Sequence, residues 1–120
     1  MNRNLTVFLV EDDTDLQLGC VQALQLADIP VRAFDSAEAV LPHIGPGLAG
    51  VVVTDMRLPG ADGLSLIAEA HDLDPDLPVI MITGHGDVPL AVQAMRSGAY
   101  DFIPKPFSPE QLVEVVQRAL

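Results

Sequence analysis

Apolar residues recur along this chain in two rhythms. Nearly unbroken apolar runs at residues 5–10, 51–53 and 79–82 show no polar alternation, which reads as strands covered on both faces of a parallel sheet. Between them, apolar residues spaced three and four apart predict helices that bury one face. These are Leu16, Cys20, Leu24 and Ala27; Leu64, Ile67 and Ala70; Ala91, Ala94 and Met95; and Leu112, Val115, Val116 and Ala119. Shorter strands are predicted at 31–34, more exposed than the rest, and at 100–103. The chain thus alternates strand and helix five times.

Polar punctuation sets the helix ends. Thr14 and Gln17 have the spacing of a capping box, Asp35-Ser36 caps a second helix running to about Ile44, and Asp62 opens the third. Pro42 falls inside the second helix, where its missing N–H and ring clash predict a kink or an early stop. Pro59-Gly60 turns the chain after the third strand. Asp87 is expected to cap the fourth helix, with Pro89 in its first turn and Gly98 as its stop. Ser108-Pro109-Glu110-Gln111 is a strong start for the fifth.

Strand–helix repeats of this kind predict an α/β fold, a doubly wound parallel five-stranded sheet with helices on both faces. Right-handed crossovers cover both faces only if the winding reverses once, and the strand order 2-1-3-4-5 puts that reversal between strands 1 and 3. Such sheets bind ligands in the crevice at the carboxyl ends of their strands. The polar residues gather on that rim: Glu11, Asp12 and Asp13 after strand 1, Asp55 at the end of strand 3, Thr83 at the end of strand 4 and Lys105 beyond strand 5. Singly, Asp55 or Asp12 reads as a turn or cap acid, Thr83 as a turn hydroxyl and Lys105 as a surface lysine. Their joint placement favours a site.

The chemistry follows from the residue types. Clustered carboxylates repel one another unless a cation holds them, and oxygen donors without His or thiolate point to a hard ion, Mg²⁺ or Mn²⁺. Cation, lysine and hydroxyl around one carboxylate make a receptor for a phosphoryl group. Asp55 is then placed to attack phosphorus and form an acyl phosphate.

Composition narrows the class. Residues 1–120 make one domain, and 17 acidic against 6 basic residues give a net charge of −11, which argues against direct grip on nucleic acid. No apolar run approaches the roughly 18 residues of a membrane span, and the N-terminus lacks the apolar core of a secretory signal, so the chain reads as cytoplasmic. Cys20 is the sole cysteine, which excludes an internal disulfide and predicts a small buried side chain. His43 and His71 read as surface residues, and His85 as a loop histidine of no special role.

Taken together, Val10-Glu11-Asp12-Asp13, Asp55-Met56-Arg57-Leu58-Pro59-Gly60-x-Asp62-Gly63, Thr83-Gly84 and Lys105-Pro106-Phe107 resemble the receiver domain of bacterial two-component response regulators over the whole chain. The resemblance implies the flavodoxin-like (βα)5 arrangement. It implies that Asp55 takes a phosphoryl group from a sensor histidine kinase. Asp12, Asp55 and the main-chain carbonyl of Arg57 would ligate Mg²⁺, with Glu11 nearby through water, while Thr83 and Lys105 bind the phosphoryl oxygens. Asp13 is assigned to the helix cap, the Lys105-Pro106 bond is expected to be cis, and Phe102 aligns with an aromatic that switches position as Thr83 moves. Phe102 lacks the hydroxyl of the tyrosine common at that place. The surface of helix 4, strand 5 and helix 5 is expected to rearrange and mediate homodimerisation, with no separate substrate turned over.

Residues 83–95 and 98–103 further resemble the dicarboxylate-transport and nitrogen-regulation activators, or the nitrogen-fixation regulators. That likeness implies the N-terminal module of a longer transcription regulator, with an ATPase and/or DNA-binding output domain in cis. The chain ends within helix 5, which reads as an excised domain, a stand-alone regulator being the alternative. Other classes fit less well. An aspartyl phosphohydrolase usually needs a second acid two residues after the first, where this chain has Arg57. A flavodoxin needs a Ser/Thr/Gly-rich phosphate loop where Glu11-Asp12-Asp13 would repel the phosphate. A degenerate receiver would not be expected to keep the acids, the threonine and the lysine.

Overall fold

The protein is described by a computed structural model covering residues 5–45, 49–58, 62–84 and 88–120. Strands β1 (Thr6–Val10), β2 (Val31–Phe34), β3 (Gly50–Asp55), β4 (Val79–Thr83) and β5 (Asp101–Pro104) form one sheet, ordered β2-β1-β3-β4-β5, with every pairing parallel. The order expected from the crossover rule is the one observed. Between the strands lie α1 (Thr14–Leu26), α2 (Ala37–Val40), α3 (Gly63–Leu73) and α4 (Val88–Arg96), with α5 (Pro109–Ala119) after the last.

Successive residues of the central strands serve opposite faces, which explains their lack of polar alternation. Val7, Leu9, Val51, Val53, Ile80 and Ile82 pack with Cys20, Leu24, Leu112 and Val116 beneath α1 and α5. Phe8, Val10, Val52 and Met81 pack with Val40, Leu66, Ile67 and Ala94 beneath α2, α3 and α4. Each fully buried aliphatic side chain contributes about 1.5–3 kcal/mol of transfer free energy. Among the described residues no helix is long and apolar enough to cross a membrane.

The helix ends correct the sequence reading in one place. Asp13 caps α1 as assigned, and Thr14 does not: the Asp13 Oδ1 accepts from the amides of Asp15 and Leu16 at 3.0 and 3.1 Å. The expected Thr14–Gln17 capping box is absent because Gln17 turns back toward the strand ends. Ser36 caps α2, which lasts four residues before a 3₁₀ turn at Leu41–His43 takes in Pro42, the early stop predicted for a helix-interior proline. Asp62 Oδ1 accepts from the amide of Ser65 at 2.9 Å, and Ser108 and Gln111 form the complete reciprocal box. Pro59-Gly60, His85 and the expected Asp87 cap lie outside the described residues.

Three placements differ from expectation. Met95 is 41% exposed, since Ala91 and Ala94 form the buried contact of α4 and Met95 falls beside it. Tyr100 precedes β5, and its amide donates to the Val79 carbonyl at 2.8 Å. His71 is half-buried, with Nε2 donating to the Leu77 carbonyl at 3.1 Å; His43 stays exposed but its ring lies 5.1 Å from that of Phe34.

Gly50 pairs with Thr6 so closely that a Cβ there would collide with the Thr6 carbonyl oxygen, and Phe8 Cε1 closes the other side at 3.3 Å. Gly50→Ala is therefore expected to destabilise the domain by about 2 kcal/mol, read as a lower urea midpoint with unchanged slope. An unshifted midpoint would refute that packing.

Candidate functional site

The carboxyl ends of β1, β3 and β4 bring the acids together. Asp55 is the last residue of β3, at 6% exposure, and its register partner is Ile82 of β4. Glu11 follows β1 at 1% exposure, and Asp12 is exposed beside it. Carboxylate oxygens of Glu11, Asp12 and Asp55 all lie within 4.8 Å of one another. Lys105 Nζ donates to Asp55 Oδ2 at 3.0 Å and the Arg57 amide donates to Oδ1 at 3.2 Å.

Local structure explains how these groups meet. The Lys105-Pro106 peptide is cis, as the resemblance implied, and the Lys105 amide donates to the Thr83 carbonyl at 2.8 Å. That bond holds the residue after β5 against the end of β4. Gly63 does the same for α3: a Cβ there would lie 2.8 Å from the Asp55 carbonyl oxygen and 3.0 Å from Met56 Cα. Only glycine lets the helix start against the strand end that carries Asp55. Thr54 is fully buried, with its hydroxyl donating to the Asp55 carbonyl at 3.0 Å.

Burial and close charges shift the titration of two groups in the cluster. Burial pushes the Glu11 carboxyl up to about 7, with the Asp55 charge adding and the Asp13 amide opposing. Its Oε2 accepts from that amide at 3.0 Å, while Oε1 is, among the described residues, the buried side-chain polar atom left without a partner. For Lys105 burial acts to lower the pKa, but the hydrogen bond and charge of Asp55, then Glu11 and Asp13, outweigh it, so the ammonium is held above its ordinary value. Cys20 is buried, and burial with the Glu11 charge pushes its thiol up to about 11, so it packs as an apolar group, as expected.

Three acids, one orphaned buried carboxylate oxygen and a single facing ammonium fit a hard divalent cation better than an empty pocket. Thr83, 2% exposed, ends β4 on the same rim, and Arg57 follows Asp55 there. Phe102 stands apart: it lies on β5 at 37% exposure, lining a shallow cavity of about 360 Å³ with Val88, Ala91, Val92, Met95 and Arg96 of α4. Sequence reasoning missed the role of Gln17, whose amide reaches the carbonyls of Glu11 and Phe34. Its only signal was a polar residue one turn behind the acids.

A doubly wound sheet with acids, a threonine and a lysine converging at its switch point is the frame of a phosphoryl-receiving signalling domain. The chain belongs to the response regulator receiver domain family, whose sequence profile matches residues 7–117. It is 50% identical over 114 residues to the C4-dicarboxylate transport transcriptional regulatory protein DctD of Rhizobium meliloti (strain 1021), covering 95% of this chain and 25% of that protein. The chain therefore spans about a quarter of that regulator's length. Among solved structures it resembles FixJ-N, with a TM-score of 0.85 and 38% identity over 98% of this chain and 94% of that one. A putative response regulator from Chloroflexus aurantiacus J-10-fl gives a TM-score of 0.90 at 30% identity, with 98% of each chain covered.

Proposed function

We propose that Asp55 accepts a phosphoryl group from the phosphohistidine of a sensor histidine kinase, and that the domain relays this mark to an output domain. The observation that carries the reading is the Asp55 carboxylate held between the acids Glu11 and Asp12 and the Lys105 ammonium. In the transfer, a carboxylate oxygen of Asp55 forms a bond to phosphorus as the P–N bond to the kinase imidazole breaks, and the imidazole leaves with a proton from solvent. Lys105 and the Thr83 hydroxyl then bind phosphoryl oxygens. No turnover of a separate substrate is expected. Asp12, Asp55 and the Arg57 carbonyl, with Glu11 beside them, would hold Mg²⁺ or Mn²⁺. Bound there, the ion supplies positive charge that offsets the carboxylates and the incoming phosphoryl group.

Residues 1–120 serve in this reading as the N-terminal receiver module of a cytoplasmic transcription regulator, with an ATPase and/or DNA-binding output domain in cis. The transcriptional role named for DctD supports that assignment. Phosphorylation adds roughly two negative charges. Drawing Thr83 toward them repacks Phe102 and the α4–β5–α5 surface, where Val88, Val92, Met95 and Phe102 are exposed, and so favours a homodimer. Moving such an equilibrium from mostly off to mostly on takes about 5 kcal/mol. The test is incubation with a phosphorylated histidine kinase and Mg²⁺. Base-labile labelling of this chain, suppressed by a chelator, is the expected result, and labelling that survives base would overturn it.

Glu11 gives the site a pH signature. Its carboxyl rises from 4.5 unfolded to about 7 in the fold, so this group favours the metal-free fold below about 4.5 and withdraws that contribution as pH climbs to about 7. Metal binding needs the ionised form. Mg²⁺ affinity is therefore expected to rise as pH climbs toward about 7 and to level off above it. Glu11→Gln should flatten the profile; a flat profile in the unaltered protein would contradict the assignment.

A further inference from the structure

The first turn of α1 carries a side chain that neither the helix cap nor the acidic cluster accounts for. Gln17 Nε2 donates to the Glu11 carbonyl at 2.9 Å and to the Phe34 carbonyl at 3.2 Å. The Phe34 carbonyl also accepts from the Glu11 amide at 2.9 Å. The ends of β1 and β2 and the first turn of α1 are thus tied at one point. Glu11 is held on both sides of its Cα, through its N–H by Phe34 and through its C=O by Gln17. Its side chain is pinned at Oε2 by the Asp13 amide, which leaves Oε1 as the unpartnered oxygen. With the backbone and one carboxylate oxygen fixed, the remaining oxygen has little freedom left.

We infer that Gln17 is a positioning residue for the cation site: it fixes the Glu11 backbone so that the free carboxylate oxygen stands ready for the ion, without touching the ion itself. The inference rests on the reading of Glu11, Asp12 and Asp55 as a Mg²⁺ site. An amide NH₂ suits the task because it offers two donors to two carbonyl oxygens. Methionine of similar length would leave both carbonyls without this donor, and glutamate would turn an acceptor toward two acceptors. Groups that orient a metal-binding side chain are worth about 10–100-fold in metal affinity.

The test is a Mg²⁺ titration of the full 120-residue chain followed by amide NMR shifts, with circular dichroism confirming the fold of each variant. Gln17→Met is expected to weaken Mg²⁺ binding roughly tenfold, and Gln17→Glu to weaken it further. Because Gln17 acts through Glu11, adding Gln17→Met to Glu11→Gln should change affinity less than about twofold. A purely structural role would lower thermal stability and leave the Mg²⁺ affinity where it was. Unchanged affinity in Gln17→Met, or an equal loss in both backgrounds, overturns the inference. If Gln17→Met does not fold, Gln17→Asn, which keeps the donors but is one methylene short, gives the same reading by the same criteria. A wild-type chain that binds no Mg²⁺ removes the cation site and this inference with it, a result distinct from binding that ignores Gln17.

Discussion

Replacing Asp55 with asparagine is expected to reduce phosphoryl incorporation to background while the domain stays folded. The amide nitrogen and oxygen occupy the same volume but offer no anionic oxygen to attack phosphorus. The fold should tolerate the change because two electrostatic effects oppose each other. The ion pair with Lys105 is lost, and the lysine side chain in that pair is a third exposed, so the loss amounts to about 1 kcal/mol at most. In return the repulsion among Asp55, Glu11 and Asp12 falls, and the Asp55 contribution that raises the Glu11 carboxyl is removed. Intact mass after acetyl phosphate treatment, set beside a urea midpoint, separates lost chemistry from lost structure. Undiminished incorporation into Asp55→Asn would place the acceptor elsewhere.

Lys105→Met should separate binding from transfer in opposite directions. The ammonium lies 3.0 Å from Asp55 Oδ2, where it competes with a cation for the same carboxylate and also meets the charge of an arriving phosphoryl group. Removing it is expected to slow phosphorylation by about 100- to 1000-fold, the usual cost of deleting one preorganised charged donor from a reacting centre. The same substitution should tighten Mg²⁺ binding, because a positive charge beside the acids is gone. Methionine is one atom shorter but keeps an unbranched apolar stem, so packing beside the cis peptide is largely preserved. Slower transfer with weaker Mg²⁺ binding would point to a collapsed pocket and count against this division of roles.

The parts of this architecture that sequence alone made legible are those where one physical cause dominates. Runs such as Val51-Val52-Val53 can satisfy their burial only inside a sheet covered twice, and the crossover rule then leaves one reversal point for the acids to gather around. Ser108 and Gln111 had no competing partners, so their predicted box is the one observed. Where two partners compete, local pattern failed. Asp13 took the cap assigned to it, but the Thr14–Gln17 spacing also suggested a box, and Gln17 could close that box or reach the strand ends. The carbonyls of Glu11 and Phe34 decided it, and they become neighbours only in the folded sheet.

Burial of polar residues was hidden for the same reason. Glu11 and Asp12 are adjacent acids in the sequence, yet one is buried with an orphaned oxygen and the other exposed. His71 carried no sign of the Leu77 carbonyl that draws it inward. Met95 kept helical spacing but sits outside the narrow contact made by two alanines, so the face it shares with Phe102 stays open.

The central claim, that the acid ending β3 receives the phosphoryl group with a divalent cation beside it, is tested most directly on the unaltered chain. The protein is treated with acetyl phosphate with and without Mg²⁺, its intact mass measured, and the modified peptide sequenced by fragmentation. The expected result is the gain of a single phosphoryl group, dependent on the ion and localised to Asp55. A phosphoryl group found on any other residue, or the same gain at Asp55 after complete removal of divalent ions, would contradict it.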